Sequence, residues 1–241
     1  MKRKVKDVSF VVFDLETTGL KPIDNQIIEI AALKIDNEGN ELGRFERLVK
    51  LYKKPNLDPF IVNLTGIDEE LLKVEGENHA IVMEEFLEFI EDSVLVAQNT
   101  PFDISFLMEY YLSKSDMPFT RFNLDLINLS KFLFKNEETY KLSSLVDYYK
   151  VDYDQTKHHR AMYDVEITKN CFVKSLEMLG KEKELLLGEL FGINKTQICS
   201  EKQASYLESL MGKKNHFLNN NDLFTKTTAS YHIDFYVTRK G

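Results

Sequence analysis

Asp14 and Glu16 stand two residues apart inside the hydrophobic segment "VVFDLETTGL", residues 11–20. On a β-strand, side chains two positions apart point to the same face, so both carboxylates would leave the sheet together. Neighbouring carboxylates repel and raise each other's pKa, and a hard divalent cation such as Mg²⁺ or Mn²⁺ removes that cost. Taken alone, the pair fits a metal site and a solvated strand end about equally well.

Two later segments carry further candidates for chemistry. In "LVAQNTPFDISFL" (residues 95–107), Asp103 opens a predicted helix directly after a buried strand and a loop. In "KHHRAMYDVEIT" (residues 157–168), His159 lies on a predicted loop and Asp164 lies in the first turns of a long helix. Each acid alone could be an ordinary helix-start residue, and the histidine an exposed loop residue.

Together, in this order and spacing, the three segments resemble the signature motifs of the DEDDh exonuclease superfamily. They are most similar to the proofreading exonucleases of bacterial replicative polymerases, namely the epsilon subunit of DNA polymerase III and the exonuclease domain of the Gram-positive replicative polymerase. Residues 27–36 and 63–72 match accessory segments, so the resemblance covers about residues 7–178. The chain departs from the family at Gln98, where relatives often carry histidine.

The resemblance implies a metal-dependent 3′–5′ exonuclease that hydrolyses terminal phosphodiesters of DNA and releases nucleoside 5′-monophosphates. Two divalent cations, Mg²⁺ or Mn²⁺, would be held by four acids, and a histidine would act as general base. The implied metal ligands are Asp14, Glu16, Asp103 and Asp164, and the implied base is His159. The implied substrate contacts are Leu15, Thr17, Thr18, Asn99 and Phe102.

Other side chains near the motifs have simpler expected roles. Phe106 is expected to belong to the hydrophobic core, because an aromatic residue near a helix start is more often core than a stacking surface. Basic residues that could help to hold a nucleic acid, among them Arg160, Lys53 and Lys54, are expected to be ordinary solvated charges.

The pattern of elements predicts an α/β fold. Three strand-like segments are followed by helix–strand–helix units, which indicates a mixed sheet covered by helices, and the resemblance implies a ribonuclease H-like fold. The predicted strands are residues 8–16, 27–36, 41–50 and 93–99. The predicted helices include residues 82–92, 103–114, 141–151 and 159–180, and residues 121–135 read as a strand edge passing into a helix.

The expected organisation is an exonuclease domain over residues 1–180 and a small, mostly helical C-terminal module over residues 181–241. In that module, Ser200 and Gln203 are spaced as a capping box at the start of a helix. The net charge of −8 argues against wrapping long duplex DNA, but it permits contact with a few nucleotides at a strand end.

The expected location is cytoplasmic. Cys171 and Cys199 are isolated, which suits a reducing compartment, and the chain shows neither a signal-peptide pattern nor an apolar run long enough to cross a membrane. The expected partners are nucleic acid 3′ ends, in single-stranded or frayed DNA. Proofreading would require a DNA polymerase, and DNA repair is the other expected setting. An exoribonuclease of the same fold and a non-catalytic nucleic-acid-binding module remain alternatives.

Overall fold

The computed structural model describes residues 8–114, 123–154, 160–180 and 200–211, together with residues 233 and 237. These residues fall into two compact units. One unit comprises residues 8–106, 123–154 and 160–180, and the other comprises the remaining described residues. The division of the chain into domains at residue 180 stays a prediction.

The first unit is built on a mixed five-stranded sheet, as the sequence predicts. The strands are β1 (Phe10–Thr17), β2 (Ile27–Ile35), β3 (Glu41–Leu48), β4 (Val94–Ala97) and β5 (Asn123–Asp125). Their order in the sheet is β3-β2-β1-β4-β5. The first three strands pair antiparallel, and β4 and β5 continue the sheet in parallel to β1. All four residues of β4 are buried, as expected for a parallel strand covered on both faces.

Eight helices have both of their ends in the described part of the chain. They are α1 (Pro59–Thr65), α2 (Glu69–Val74), α3 (His79–Ile90), α4 (Thr100–Lys114), α5 (Leu126–Leu133), α6 (Leu142–Tyr149), α7 (Ala161–Leu179) and α8 (Glu201–Met211). Asp58, Asp68 and Asn78 cap the first three helices with their own side chains. Helix α4 begins at Thr100 and not near Asp103, which corrects the predicted start. Asp103 lies within its first turn.

The two faces of β1 pack against different helices, and this decides where its carboxylates point. The ring of Phe10 meets that of Phe172 on α7 at 5.1 Å, whereas Phe13 meets Phe86 on α3 at 5.9 Å. Because side chains alternate along a strand, the even-numbered residues of β1 face α7. The Asp14 and Glu16 side chains therefore point to the α7 side of the sheet.

A tight turn follows β1 and depends on a glycine. Gly19 has a φ of +157°, and a Cβ atom placed on it would lie 2.6 Å from the side-chain oxygen of Asn25. The Thr18 side chain accepts the backbone N–H of Gln26 at 3.0 Å, and this hydrogen bond joins the two ends of the turn. This arrangement ends β1 immediately after its two acids.

In the second unit, helix α8 begins as the sequence predicts. The Ser200 hydroxyl accepts the backbone N–H of Gln203 at 3.2 Å, and the Gln203 side chain accepts the backbone N–H of Ser200 at 3.0 Å. These reciprocal bonds are the expected capping box. None of the helices within the described ranges combines the length and the apolar content needed to cross a bilayer.

Candidate active site

Three of the predicted metal ligands meet where β1 ends and α7 begins. Carboxylate oxygens of Asp14, Glu16 and Asp164 all lie within 4.8 Å of one another. Asp164 reaches this point because Thr168 and Phe172 follow it at helical spacing, and Phe172 packs on Phe10 at the opposite end of β1. The aromatic contact thus fixes α7 against the sheet with its first turn beside the two acids of β1.

The cluster carries an electrostatic cost. The pKa of Glu16 is raised to about 9, mainly by burial and also by the negative charges of Asp14, Glu29 and Asp164, while Arg160 lowers it. All of the donor atoms are carboxylate oxygens, which are the ligands that hard divalent cations prefer. A bound cation would relieve the repulsion, so the donor set fits such an ion.

Asp103, the fourth predicted ligand, is 2% exposed in the first turn of α4. Its carboxyl is not a member of the 4.8 Å group. Burial holds its pKa well above the usual range, the charge of Asp14 acts in the same direction, and a hydrogen bond from the backbone N–H of Leu15 opposes them. Asp14 therefore interacts with Asp103 as well as with the other two acids.

The three acids line a cleft with a volume of about 430 Å³. Its lining residues come from β1, α7, the end of β4 and the start of α6. They are Asp14, Leu15, Glu16, Gln98, Lys141, Leu142, Ser143, Asp164 and Thr168. Lys141 places a basic side chain at the cleft, and it is not among the residues predicted from the sequence. Its only sequence signal is its position at the start of the predicted helix over residues 141–151.

The predicted substrate contacts on the first motif have different surroundings. Leu15 is 4% exposed and lines the cleft. The Thr17 hydroxyl donates to the carbonyl of Gly19 at 2.8 Å, and Thr18 takes part in closing the same turn. Leu15 alone of the three lines this cleft, while the two threonines shape the turn beside it.

The predicted contacts on the second motif are held by neighbouring elements. Asn99 has a left-handed backbone conformation, with a φ of 71°, and its N–H donates to the Asp125 carboxylate at 3.0 Å. Its side chain is exposed. Phe102 is half-buried, and its ring lies 5.2 Å from that of Phe106, which is buried in the core as predicted. Gln98 donates to the carbonyl of Tyr140 at 3.0 Å.

His159, the predicted general base, lies outside the described residues. The side chain of the next residue, Arg160, is 51% exposed, as a solvated charge would be, but it is also paired. Its guanidinium donates to the buried carboxylate of Glu29 at 3.1 Å. Lys53 is likewise engaged, because its ammonium group donates to the carbonyl of Asn25 at 2.7 Å. Glu29 is not among the predicted site residues, and its only signal in the sequence is that it is an acid inside a hydrophobic strand.

Comparison with known proteins identifies the family. The family model described as Exonuclease (RNase_T) matches residues 11–172. The chain belongs to this exonuclease family. It is 39% identical over 170 residues to the PolC-type DNA polymerase III of Caldanaerobacter subterraneus, and 40% identical over 166 residues to that of Halalkalibacterium halodurans. These matches cover 70% and 67% of the chain, but only 12% and 11% of the two polymerases.

Solved exonucleases share the fold of this family member. Escherichia coli exonuclease I in complex with a dA16 oligonucleotide superposes with a TM-score of 0.60 at 19% identity, covering 75% of this chain and 43% of the other. Exonuclease X in complex with 5′ overhanging duplex DNA superposes with a TM-score of 0.56 at 21% identity, covering 76% of this chain and 99% of the other. The predicted membership of the DEDDh superfamily and the ribonuclease H-like fold are confirmed.

Proposed function

We propose that this exonuclease removes nucleotides from the 3′ end of DNA and releases nucleoside 5′-monophosphates. The observation that carries the proposal is the grouping of Asp14, Glu16 and Asp164 within 4.8 Å beside an open cleft. A protein that used this surface only for binding would gain nothing from three mutually repelling carboxylates, whereas hydrolysis of a phosphodiester with bound cations requires such a set.

The four acids would hold two divalent cations, Mg²⁺ or Mn²⁺. Asp14 interacts both with the group formed by Glu16 and Asp164 and with Asp103, so it is the ligand suited to serve both ions. When bound, the cations would lower the pKa of the attacking water and stabilise the charge on the departing 3′ oxygen.

The remaining residues would orient the substrate and move a proton. His159 would accept the proton of the attacking water, since its ordinary pKa lies near neutrality. The apolar Leu15 would contact the terminal base, and Lys141 would face the phosphate backbone from the opposite element of the cleft. Asn99, Phe102 and the turn formed by Thr17 and Thr18 would complete the contacts with the terminal nucleotide.

We further propose that the chain acts with a DNA polymerase in proofreading, or in DNA repair. The relatives at 39% and 40% identity are PolC-type DNA polymerases III, of which the chain spans about an eighth. The fold is shared with exonuclease I bound to a dA16 oligonucleotide, which supports single-stranded DNA as a substrate form. A cytoplasmic location is part of the same proposal.

The test uses the purified protein and oligonucleotides labelled at the 5′ end, as single-stranded DNA, recessed duplex DNA and single-stranded RNA. With Mg²⁺ or Mn²⁺, DNA labelled at the 5′ end should shorten stepwise, and chromatography should identify nucleoside 5′-monophosphates. A chelator should stop the reaction. Asp14→Asn should lower the rate more than about 100-fold, because it removes a ligand of the reaction centre.

Glu70→Gln is the matched control, because Glu70 is an acid on α2 whose side chain is 73% exposed. Its activity should equal that of the unchanged protein. Faster shortening of RNA than of DNA would replace this proposal with an exoribonuclease. Binding of DNA without release of any nucleotide would support a non-catalytic module instead.

A further inference from the structure

Glu29 lies on β2 directly across the antiparallel pair from Glu16. Its side chain is 1% exposed, although a charged group in such a place is costly unless it is fully paired. The neighbouring strand already holds the acids of the active site, so a further buried carboxylate adds to the repulsion. We therefore expect Glu29 to form interactions that offset the free-energy cost of its burial.

Both oxygens of the Glu29 carboxylate bind the start of helix α7. One accepts from the Arg160 guanidinium at 3.1 Å, and the other accepts from the backbone N–H of Ala161 at 3.1 Å. Helix α7 has no local cap, because Arg160 occupies the capping position without a side-chain hydrogen bond. A carboxylate 132 residues away in the chain thus supplies the cap, and a negative charge at a helix N-terminus is favourable.

The contacts of Glu29 with Arg160 and Ala161, here called the anchor, are connected to the active site through one more hydrogen bond. The backbone carbonyl of Arg160 accepts the N–H of Asp164 at 3.1 Å. Asp164 is therefore held to the same turn that Glu29 holds to β2, at the level of Glu16 on the next strand. In the sequence, Arg160 also follows His159 directly.

We propose that Glu29 is a positioning residue that sets the separation of Glu16 and Asp164 by fastening the first turn of α7 to the sheet. Glu29 contacts no substrate and acts only through Arg160 and Ala161. The inference rests on the proposed function for its effect on hydrolysis, but its structural part can be measured without any substrate.

The test compares Glu29→Gln with the unchanged protein. Glutamine keeps the shape of the side chain but offers one acceptor oxygen to two donors, so one donor loses its partner. In the metal-free protein, the Ala161 amide should exchange with solvent at least about tenfold faster, while the amide of Cys171, further along the same helix, should be unchanged. The affinity for Mn²⁺, measured by calorimetry without DNA, should fall about 10–100-fold.

The kinetics should likewise distinguish a role in positioning the metal ligands from a role in stability alone. At a temperature well below unfolding, kcat on single-stranded DNA should fall about 10–100-fold, while KM for DNA stays within about twofold. A residue that merely stabilises the fold would lower the melting temperature without changing kcat at that temperature.

Ser130→Ala is the matched control for stability. Ser130 is buried on α5, and its hydroxyl donates to the carbonyl of Leu126 at 2.7 Å and pairs with the Tyr149 hydroxyl at 2.9 Å. This variant should unfold at a lower temperature with Ala161 exchange, Mn²⁺ affinity and kcat unchanged. If Glu29→Gln behaves in the same way, the proposal is overturned.

Two further outcomes are decided by separate readouts. If Glu29→Gln does not fold, amide exchange in the unchanged protein decides the question: a protected Ala161 amide supports the anchor, and an unprotected one overturns it. If the unchanged protein does not hydrolyse DNA, the proposed function fails, while Mn²⁺ affinity and Ala161 exchange still test the role of Glu29.

Discussion

The acids at the start of α2 and the acids at the end of β1 are the same kind of side chain with opposite energetic consequences. Asp68 is exposed and accepts the backbone N–H of Leu71 at 2.7 Å, so its charge stabilises the helix that it begins. Glu16 is surrounded by other acids, and its pKa is raised to about 9 by burial and by their charges. Acids that destabilise the protein on their own are best explained by a ligand that they hold.

The largest effect should come from Glu16→Gln. The variant removes a proposed metal ligand, so hydrolysis of DNA should slow by more than about 100-fold. The metal-free protein should be as stable as the unchanged protein or more so, because glutamine is neutral in the same space. Oligonucleotide shortening and thermal unfolding in a chelator would measure the two effects. Loss of stability together with activity would place Glu16 with the structural acids such as Asp68.

The second largest effect should be on the pH dependence of stability, which should distinguish the acids of the site from structural acids such as Asp68. The pKa of Glu16 rises from its ordinary 4.5 to about 9 on folding, and that of Asp103 shifts in the same direction. Their contribution to the stability of the folded protein is therefore fully present below their pKa values in the unfolded chain. It is lost as pH rises through their pKa values in the folded protein. The melting temperature of the metal-free protein should fall by several degrees between pH 5 and pH 9, as calorimetry would show.

The same experiment has an internal check. Saturating Mg²⁺ should reduce the decline toward high pH, because the cation binds the deprotonated acids of the folded protein. Glu16→Gln should also flatten the decline, since it removes one of the groups responsible. A melting temperature that rises steadily from pH 5 to pH 9 in chelator would mean that deprotonation of these acids does not destabilise the folded protein as expected.

A smaller effect is expected from Asp68→Ala. Removing this cap should lower the free energy of unfolding by about 1 kcal/mol, as determined by urea titration. The rate of DNA hydrolysis should not change, because Asp68 is not among the residues that line the cleft. A fall in kcat without a fall in stability would show that the structural and site acids are not separable in this way.

The smallest effect should be that of Ser200→Ala, which opens the capping box of α8. The expected cost is about 0.5 kcal/mol, confined to α8. Faster exchange of the Ala204 amide, which donates to the carbonyl of Ser200 at 2.9 Å, would report it. Unchanged exchange would show that this box contributes no stability, despite its agreement with the sequence pattern.

Local patterns predict much of this fold. The strands β1 to β4, the helix α7 ending at Gly180 and the capping box at Ser200 all depend on residues that are close in the sequence. The sequence pattern predicts the start of α4 near Asp103, because Asp is a common helix cap, and this prediction is wrong. In fact the buried Thr100 hydroxyl binds the carbonyls of Ala97 and Leu124, the second of which is 24 residues away.

The candidate site is only partly accessible from sequence. Resemblance pointed to Asp14, Glu16 and Asp164, and their grouping supports that prediction. Glu29 could not be found in the same way, because its partners Arg160 and Ala161 lie 131 and 132 residues away. The position of Lys141 in the cleft likewise depends on how α6 packs, and no local signal encodes that packing.

Titration of Mn²⁺ into the metal-free protein, followed by calorimetry in the absence of DNA, measures directly whether the acids of β1 and α7 hold a cation. We expect saturable binding that Asp14→Asn and Glu16→Gln each weaken by more than about tenfold, and that the exposed control Glu70→Gln leaves unchanged. Equal binding by the unchanged protein and by both site variants would contradict it, since the cation would then be held somewhere other than at the acids of β1 and α7.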